Sequence, residues 1–366
     1  MNKIVMPDYN DSIVNLACSI RKYFELDYCH NTIQDIDDIL EGKKPRNVVI
    51  VLYDGMGYNL LNRIIPDSFL AKHCLRSFSS VAPSTTTAST TSIITGLMPK
   101  EHGWLGWDLY FSEEDKIVTM FTNNLKDTQT PAADYNVAKK YYNYKSIVGA
   151  INDAGKYKGV FVSKYGGIHF EEPEEMVEIV KKELATPEKK YIYAYYNDPD
   201  MTMHEYGTDS PEAKEAFERV NACAEKLCNE IDDDTVVIFV ADHGHLNNQG
   251  VCIADYPDFD ATLAGDVWIE GRLCSFRVKD EEKFKELFNK YFSNDFELHT
   301  KQEVIDMNLF GIGEEHPLFR SSLGDYFALA FSNKYFRYRP YSTNLKSMHA
   351  GFTEDEMRIP LIVYHK

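Results

Sequence analysis

Asp200 and His204 stand four residues apart in YNDPDMTMHEYG, residues 196–207, a spacing that turns both side chains to one face of a helical turn. Together they offer the oxygen and nitrogen donors that zinc and similar divalent ions take. The same residue types recur along the chain. Asp54 closes NVVIVLYDG, Asp242-His243-Gly244 closes DTVVIFVADHG, and His349 lies in SMHAGFTEDEM just ahead of the apolar run IPLIVYH. Taken singly, a strand-end Asp is more often a helix cap or turn former. Placed together at the ends of successive apolar runs, these acids and histidines favour metal binding.

The stretch SSVAPSTTTASTTSIITGLMPKEHGWLGW, residues 79–107, adds a different chemistry. It reads as a loop dense in hydroxyls that enters a helix. The free amides and dipole of a helix N-terminus favour an anion such as phosphate, and they lower the cost of ionising a hydroxyl that touches a metal. A hydroxyl nucleophile from this run follows, although most of its Ser and Thr residues read as competing caps. His102 reads as structural, and His245 either orients a ligand or meets substrate. Trp104, Trp107, Tyr58 and Tyr196 stand near these motifs, where an aromatic ring packs or stacks on a substrate base.

These groups need a scaffold that brings distant segments together. The unbroken apolar run at 47–55 reads as a strand buried on both faces, and similar runs recur at 158–163, 190–196 and 234–241. Helical stretches at 146–154, 173–185 and 210–231 alternate with them, and Ile13, Leu16, Ala17, Ile20 and Phe24 form a stripe on a leading helix. That alternation predicts an α/β fold with a mostly parallel sheet, whose ligands gather beyond the carboxyl ends of the strands. The texture changes after residue 250: VWIEGRLCSFRV reads as a strand, DEEKFKELFNKYF as a helix and DYFALAF as another strand. The expected organisation is a catalytic core over 1–255 and 346–366, with a small α+β lobe over 256–345 inserted before His349.

The 366 residues carry 57 acidic and 39 basic side chains, a net charge of −18. Such a surface repels nucleic acid polymers and anionic lipid. Seven scattered cysteines without a C-x-x-C pair suggest neither a disulfide framework nor a thiolate zinc site. With no secretory signal in MNKIVMPDYND and no run of about 18 apolar residues, a cytoplasmic protein without a membrane span is expected.

In order, LYDGMG, APSTTTASTTSIITGLMPKEHG, YYNDPDMTMHEYG, VADHGH and HAGFTEDEMRIPLIV resemble the motifs of the alkaline phosphatase superfamily. Within it they are most similar to the type I phosphodiesterases and nucleotide pyrophosphatases. The resemblance implies an alkaline-phosphatase-like three-layer sandwich with two divalent metal ions, zinc or alternatively manganese. One ion would be held by Asp54, Asp242, His243 and the nucleophile, the other by Asp200, His204 and His349. The nucleophile falls nine residues before the Thr of Thr95-Gly96, on Thr86. The family's Asn three residues beyond it is replaced here by Ser89, which with Trp107 and Tyr196 makes up the expected substrate contacts. Three carboxylates and two dications leave such a site cationic enough to draw an anion to an acidic protein.

The activity this implies is hydrolysis of a phosphodiester or phosphoanhydride, through a phosphothreonine, in a small phosphorylated substrate such as a nucleotide. The alternatives are a phosphomonoesterase, phosphonate hydrolase or phosphomutase of the same superfamily, and a non-catalytic metal-binding sensor. Mutases of the superfamily carry a large cap domain that residues 104–197 leave little room for, and no Cys or Ser sits in a C-x-P-x-R sulfatase setting.

Overall fold

The computed structural model describes residues 4–340 and 345–366; residues 341–344 of the expected lobe lie outside them. Among the described residues, two seven-stranded sheets form the frame. The first runs in the order Cys74–Ser79, Arg358–Tyr364, Thr235–Val240, Asn47–Tyr53, Lys190–Tyr196, Lys158–Ser163 and Gly166–Gly167. Every residue of Asn47–Tyr53 and of Thr235–Val240 is buried. Neither face of these central strands meets water, which is why their sequences are continuously apolar instead of alternating.

Register decides where the chemistry collects. Asn47–Tyr53 lies parallel to Lys190–Tyr196, with Tyr53 opposite Tyr196, and parallel to Thr235–Val240, with Leu52 opposite Val240. Three adjacent strands therefore end level with one another, and Asp54, Asp200 and Asp242 follow them at one edge. The last strand, Arg358–Tyr364, runs antiparallel to Thr235–Val240. Its N-terminal end faces that same edge, and so the preceding segment delivers His349 there.

The second sheet has the order Phe296–Thr300, Tyr326–Ala330, Leu273–Phe276, Trp268–Ile269, Asp108–Phe111, Lys116–Thr119 and Asn124–Leu125. Ile269 pairs with Asp108, so residues 108–125, from the span expected for the core, join the sheet built within 256–345. The stretch VWIEGRLCSFRV, expected as one strand, is instead a hairpin in which Trp268–Ile269 returns antiparallel against Leu273–Phe276. A turn at Glu270, Gly271 and Arg272 reverses it, and Ile269 takes a φ of 78° at its entrance, a conformation costly for a β-branched residue. Helix Glu281–Phe292, capped by Asp280, buries Phe284, Leu287, Phe288 and Phe292 beneath this sheet. None of the described helices is long and apolar enough to cross a membrane.

Candidate metal centre

Helix Thr86–Thr95 begins with Thr85 in an extended cap conformation and ends at Gly96. Its first residue, Thr86, points its hydroxyl at the sheet edge: Oγ1 lies 3.4 Å from Asp54 Oδ2 and 3.2 Å from His243 Nε2. Asp54, Asp242 and His243 form one buried group of donors, and Asp200, His204, His245 and His349 form a second. The groups adjoin. The rings of His243 and His349 stack with centroids 3.7 Å apart, and the Asp200 amide donates to the Asp54 carbonyl at 3.0 Å. Gly55, at φ 73°, permits this closeness, because a Cβ there would stand 3.0 Å from both Cα and Cβ of Asp200.

Hydrogen bonds fix each ligand candidate by one atom and leave another free. Asp242 Oδ1 accepts from the amides of Gly55 and His243 at 3.1 and 3.0 Å. Asp54 Oδ2 accepts from the Tyr195 hydroxyl. Asp54 Oδ1 and Asp242 Oδ2 are buried without any hydrogen-bond partner, an unfavourable state for a carboxylate unless a cation meets it. Three imidazoles are held in the same way. Nδ1 of His243 donates to the Gly244 carbonyl at 3.1 Å, that of His204 to Ser347 at 2.8 Å and that of His349 to Ser84 at 3.2 Å. Their Nε2 lone pairs then face inward among the carboxylates, the orientation that a carbonyl behind the ring imposes on a metal-bound histidine.

The electrostatics carry the same message. Burial, reinforced by the charge of Asp200, pushes the Asp54 carboxyl well above its usual range, and burial with the Asp54 charge does so for Asp242. Burial acts against ionisation of Asp200 too, but the surrounding His204, His245 and His349 hold it well below. Burial also depresses His349 strongly and brings His245 down to about 3. Buried acids and imidazoles crowded around unfilled acceptors are a donor set that fits divalent cations of the zinc class.

The structure thus brings together Asp54, Thr86, Asp200, His204, Asp242, His243 and His349. The expected substrate contacts fare differently. Ser89 is fully buried and its hydroxyl bonds Ser80 at 2.9 Å, while Ser80 donates to the Asp242 carbonyl at 2.5 Å. It braces the helix against the strand end, because the third residue past the helix start has turned inward. Tyr195, not Tyr196, reaches Asp54, since neighbouring residues on a strand point to opposite faces. Tyr196 instead lines a cavity of about 290 Å³ with Lys164, Glu172, Asn197, Asp198 and Thr202. Trp107 is 43% exposed, leans on Phe121, and donates its amide to Glu270 Oε1 at 2.8 Å. The same Glu270 oxygen accepts from the Thr85 hydroxyl at 2.7 Å. His102 is buried, bonded to Ser92 and accepting from the Trp104 amide, a structural role.

Sequence reasoning missed Tyr195 and Glu270 and left His245 open. A His two residues after His243 points to His245, whereas the almost wholly buried strand Lys190–Tyr196 carries no polar alternation that singles out Tyr195. Nothing local in the sequence singles out Glu270, whose place depends on the hairpin of the second sheet.

No curated protein matches this sequence. Among solved structures, murine ectonucleotide pyrophosphatase / phosphodiesterase 5 is similar at a TM-score of 0.67 and 16% identity, covering 87% of this chain and 88% of that one. The same murine protein as an inactive Thr-to-Ala variant in complex with AMP gives a TM-score of 0.67 at 15% identity, with 87% of each chain covered. Phosphonoacetate hydrolase from Sinorhizobium meliloti 1021 in complex with phosphonoformate gives a TM-score of 0.66 at 17% identity, covering 88% of this chain and 90% of that one. The model of the type I phosphodiesterase / nucleotide pyrophosphatase family matches residues 48–307, a span that includes Asp54, Thr86, Asp200, His204, Asp242 and His243. This chain belongs to that family, whose members are metal-dependent hydrolases of phosphoester bonds.

Proposed function

We propose that the protein cleaves a phosphodiester or phosphoanhydride bond of a small phosphorylated molecule in two displacements, with Thr86 as the nucleophile. The observation that carries this is the convergence of Asp54, Asp242 and His243 on Thr86 Oγ1, at the N-terminus of a helix, with a second donor set adjoining. Asp54, Asp242, His243 and Thr86 would hold one cation, and Asp200, His204 and His349 the other. When bound, two zinc or manganese ions supply the positive charge that eases ionisation of the hydroxyl and stabilises the leaving oxygen.

The Thr86 hydroxyl gives its proton to solvent and its oxygen bonds to phosphorus as the bond to the leaving alcohol or phosphate breaks. Water then adds to phosphorus and Thr86 departs, recovering a proton. The free amides at the start of Thr86–Thr95 donate to the phosphoryl oxygens. Trp107, exposed at the rim, offers a face for a base or aryl group. The AMP complex of the murine relative supports a nucleotide as the substrate class.

The comparably similar phosphonoacetate hydrolase supports a second reading, hydrolysis of a phosphonate. Metal analysis with assays on bis-p-nitrophenyl phosphate, p-nitrophenyl phosphate and phosphonoacetate separates the readings. Diester cleavage exceeding the other two, lost in Thr86→Ala, is the expected result. Faster monoester or phosphonate turnover refutes the diesterase assignment, and full activity in Thr86→Ala refutes the nucleophile. Residence in a reducing compartment is supported by seven free thiols. Thiol titration of the unfolded protein as isolated from its cell should count all seven, and fewer would tell against a cytoplasmic protein.

A further inference from the structure

Helix Thr86–Thr95 starts unlike several others of this chain, and the difference lies in where its cap hydroxyl goes. Ser68, Ser146, Ser210 and Thr300 stand at the cap positions of their helices, and each accepts from the amide three residues on, the usual way a hydroxyl satisfies a free donor of the first turn. Thr85 has the extended backbone of a cap, φ −139° and ψ 152°, yet its side chain makes no cap bond. Its hydroxyl donates instead to Glu270 Oε1 at 2.7 Å. The hydroxyls on either side are engaged elsewhere: Ser84 donates to the Gly351 carbonyl at 3.1 Å, and Thr86 points at Asp54 and His243. Among the described residues, no group accepts from the amides of Thr86, Thr87 and Ala88.

Glu270 is itself firmly placed. It follows Ile269, whose φ of 78° is unfavourable for a β-branched residue, and its Oε1 also accepts from the Trp107 amide at 2.8 Å. An amide can only donate, which fixes that oxygen as an acceptor. Gly106 lets the two segments meet, since a Cβ there would stand 2.6 Å from the Ile269 carbonyl oxygen.

We propose that Glu270 is a positioning residue that withholds the Thr85 hydroxyl from the helix it precedes, and so keeps the first-turn amides open for the phosphoryl group. The proposal rests on the anion-binding role given to those amides above and adds the residue that maintains it. Without this acceptor, rotation about the Thr85 Cα–Cβ bond turns the hydroxyl oxygen toward the amide of Thr87 or Ala88, the ordinary cap geometry. An amide taken in that way no longer donates to a phosphoryl oxygen. Glu270 thus acts on the substrate through Thr85.

The test is isothermal titration of inorganic phosphate into the metal-loaded full chain as wild type, Glu270→Ala, Glu270→Gln, and Glu270→Ala combined with Thr85→Val. Glu270→Ala should weaken phosphate binding about fivefold, the worth of one cap bond of typical strength. Glu270→Gln keeps a carbonyl oxygen for both donors and should recover most of the loss. The double variant should recover it too, because valine has the shape of threonine without a hydroxyl to cap with. If Glu270 only held the fold together, the double variant would bind at least as weakly as Glu270→Ala, and that result would overturn the proposal. So would phosphate binding by Glu270→Ala within about twofold of wild type, less than a cap bond contributes. A crystal of the wild type with metal and phosphate tests the same point without a variant: the Thr85 hydroxyl should stay on Glu270 while a first-turn amide donates to a phosphate oxygen. Thr85 accepting from the Thr87 or Ala88 amide in that crystal would overturn the proposal alone, whereas phosphate bound away from the first turn would overturn the anion-binding reading and the proposal with it.

Discussion

Replacing Glu356 should unfasten the segment that delivers His349. The carboxylate is fully buried and grips Arg272, itself fully buried, in a bidentate pair at 2.5 and 2.8 Å. Arg272 also donates to the carbonyls of Lys334 and Ser332, and Glu356 accepts from the Gly351 amide and the Thr353 hydroxyl. Glu356→Leu leaves a guanidinium buried without its counter-ion. Breaking such a pair from one side costs about 3–5 kcal/mol, whereas replacing both partners with apolar groups of similar size is often close to neutral. With an unfolding entropy of roughly 2 cal/mol/K per residue over a chain of this length, the loss corresponds to a fall in Tm of about 4–7 °C. The melts should be run with excess chelator so that metal binding does not contribute to either variant. Arg272→Met with Glu356→Leu together should recover most of the loss. A fall of less than about 1 °C for Glu356→Leu, or a double variant as unstable as the two single losses added, would refute the reasoning. Gly351 supports the same reading from the backbone side: a Cβ there would stand 2.6 Å from Arg272 Nη2 and 2.8 Å from Glu356 Oε1.

Gly55→Ala should lower stability by about 1–3 kcal/mol through its positive φ and its contact with Asp200, and should weaken zinc retention in equilibrium dialysis; tight retention at unchanged stability would contradict it. Tyr195→Phe removes the hydroxyl that anchors Asp54 Oδ2, and a loss of about 10–100-fold in metal affinity is expected, read by chelator competition. Burial raises the Glu270 carboxyl to about 7 against the opposing bonds from Thr85 and the Trp107 amide. Because its folded value lies above its unfolded one, its protonated form favours folding. That contribution is complete below about pH 4.5 and is lost as pH rises through about 7, amounting to roughly 3 kcal/mol at most. Glu270→Gln should flatten the stability profile in that window, and an unchanged slope in denaturant titrations at pH 5 and 8 would count against the assignment.

Much of this centre was legible because it depends on strand ends. Long apolar runs announce buried parallel strands, and whatever follows them must emerge at one edge, so Asp54, Asp200 and Asp242 could be grouped before any coordinates. His349 was legible through its motif, though only the antiparallel direction of Arg358–Tyr364 explains physically why it arrives there. Ser89 is buried because a helix rotates about 100° per residue, and three steps past Thr86 the side chain faces the interior, a direction the hydroxyl-rich run does not reveal. Tyr195 went unnamed because a strand buried along nearly its whole length gives no polar alternation from which to read direction. Glu270 depends on a pairing between Ile269 and Asp108, partners 161 residues apart in the chain, and no local periodicity encodes such a contact.

The hairpin strand Trp268–Ile269 is joined on one side by Leu273–Phe276 and on the other by Asp108–Phe111, and this weaving has a consequence for how the enzyme can be altered. Substrate preference in a fold of this kind cannot be exchanged by transplanting one contiguous cassette, because the wall beside the nucleophile is stitched from two stretches that straddle half of the central sheet. Grafts must carry both stretches at once, and drift in one is answerable to the other.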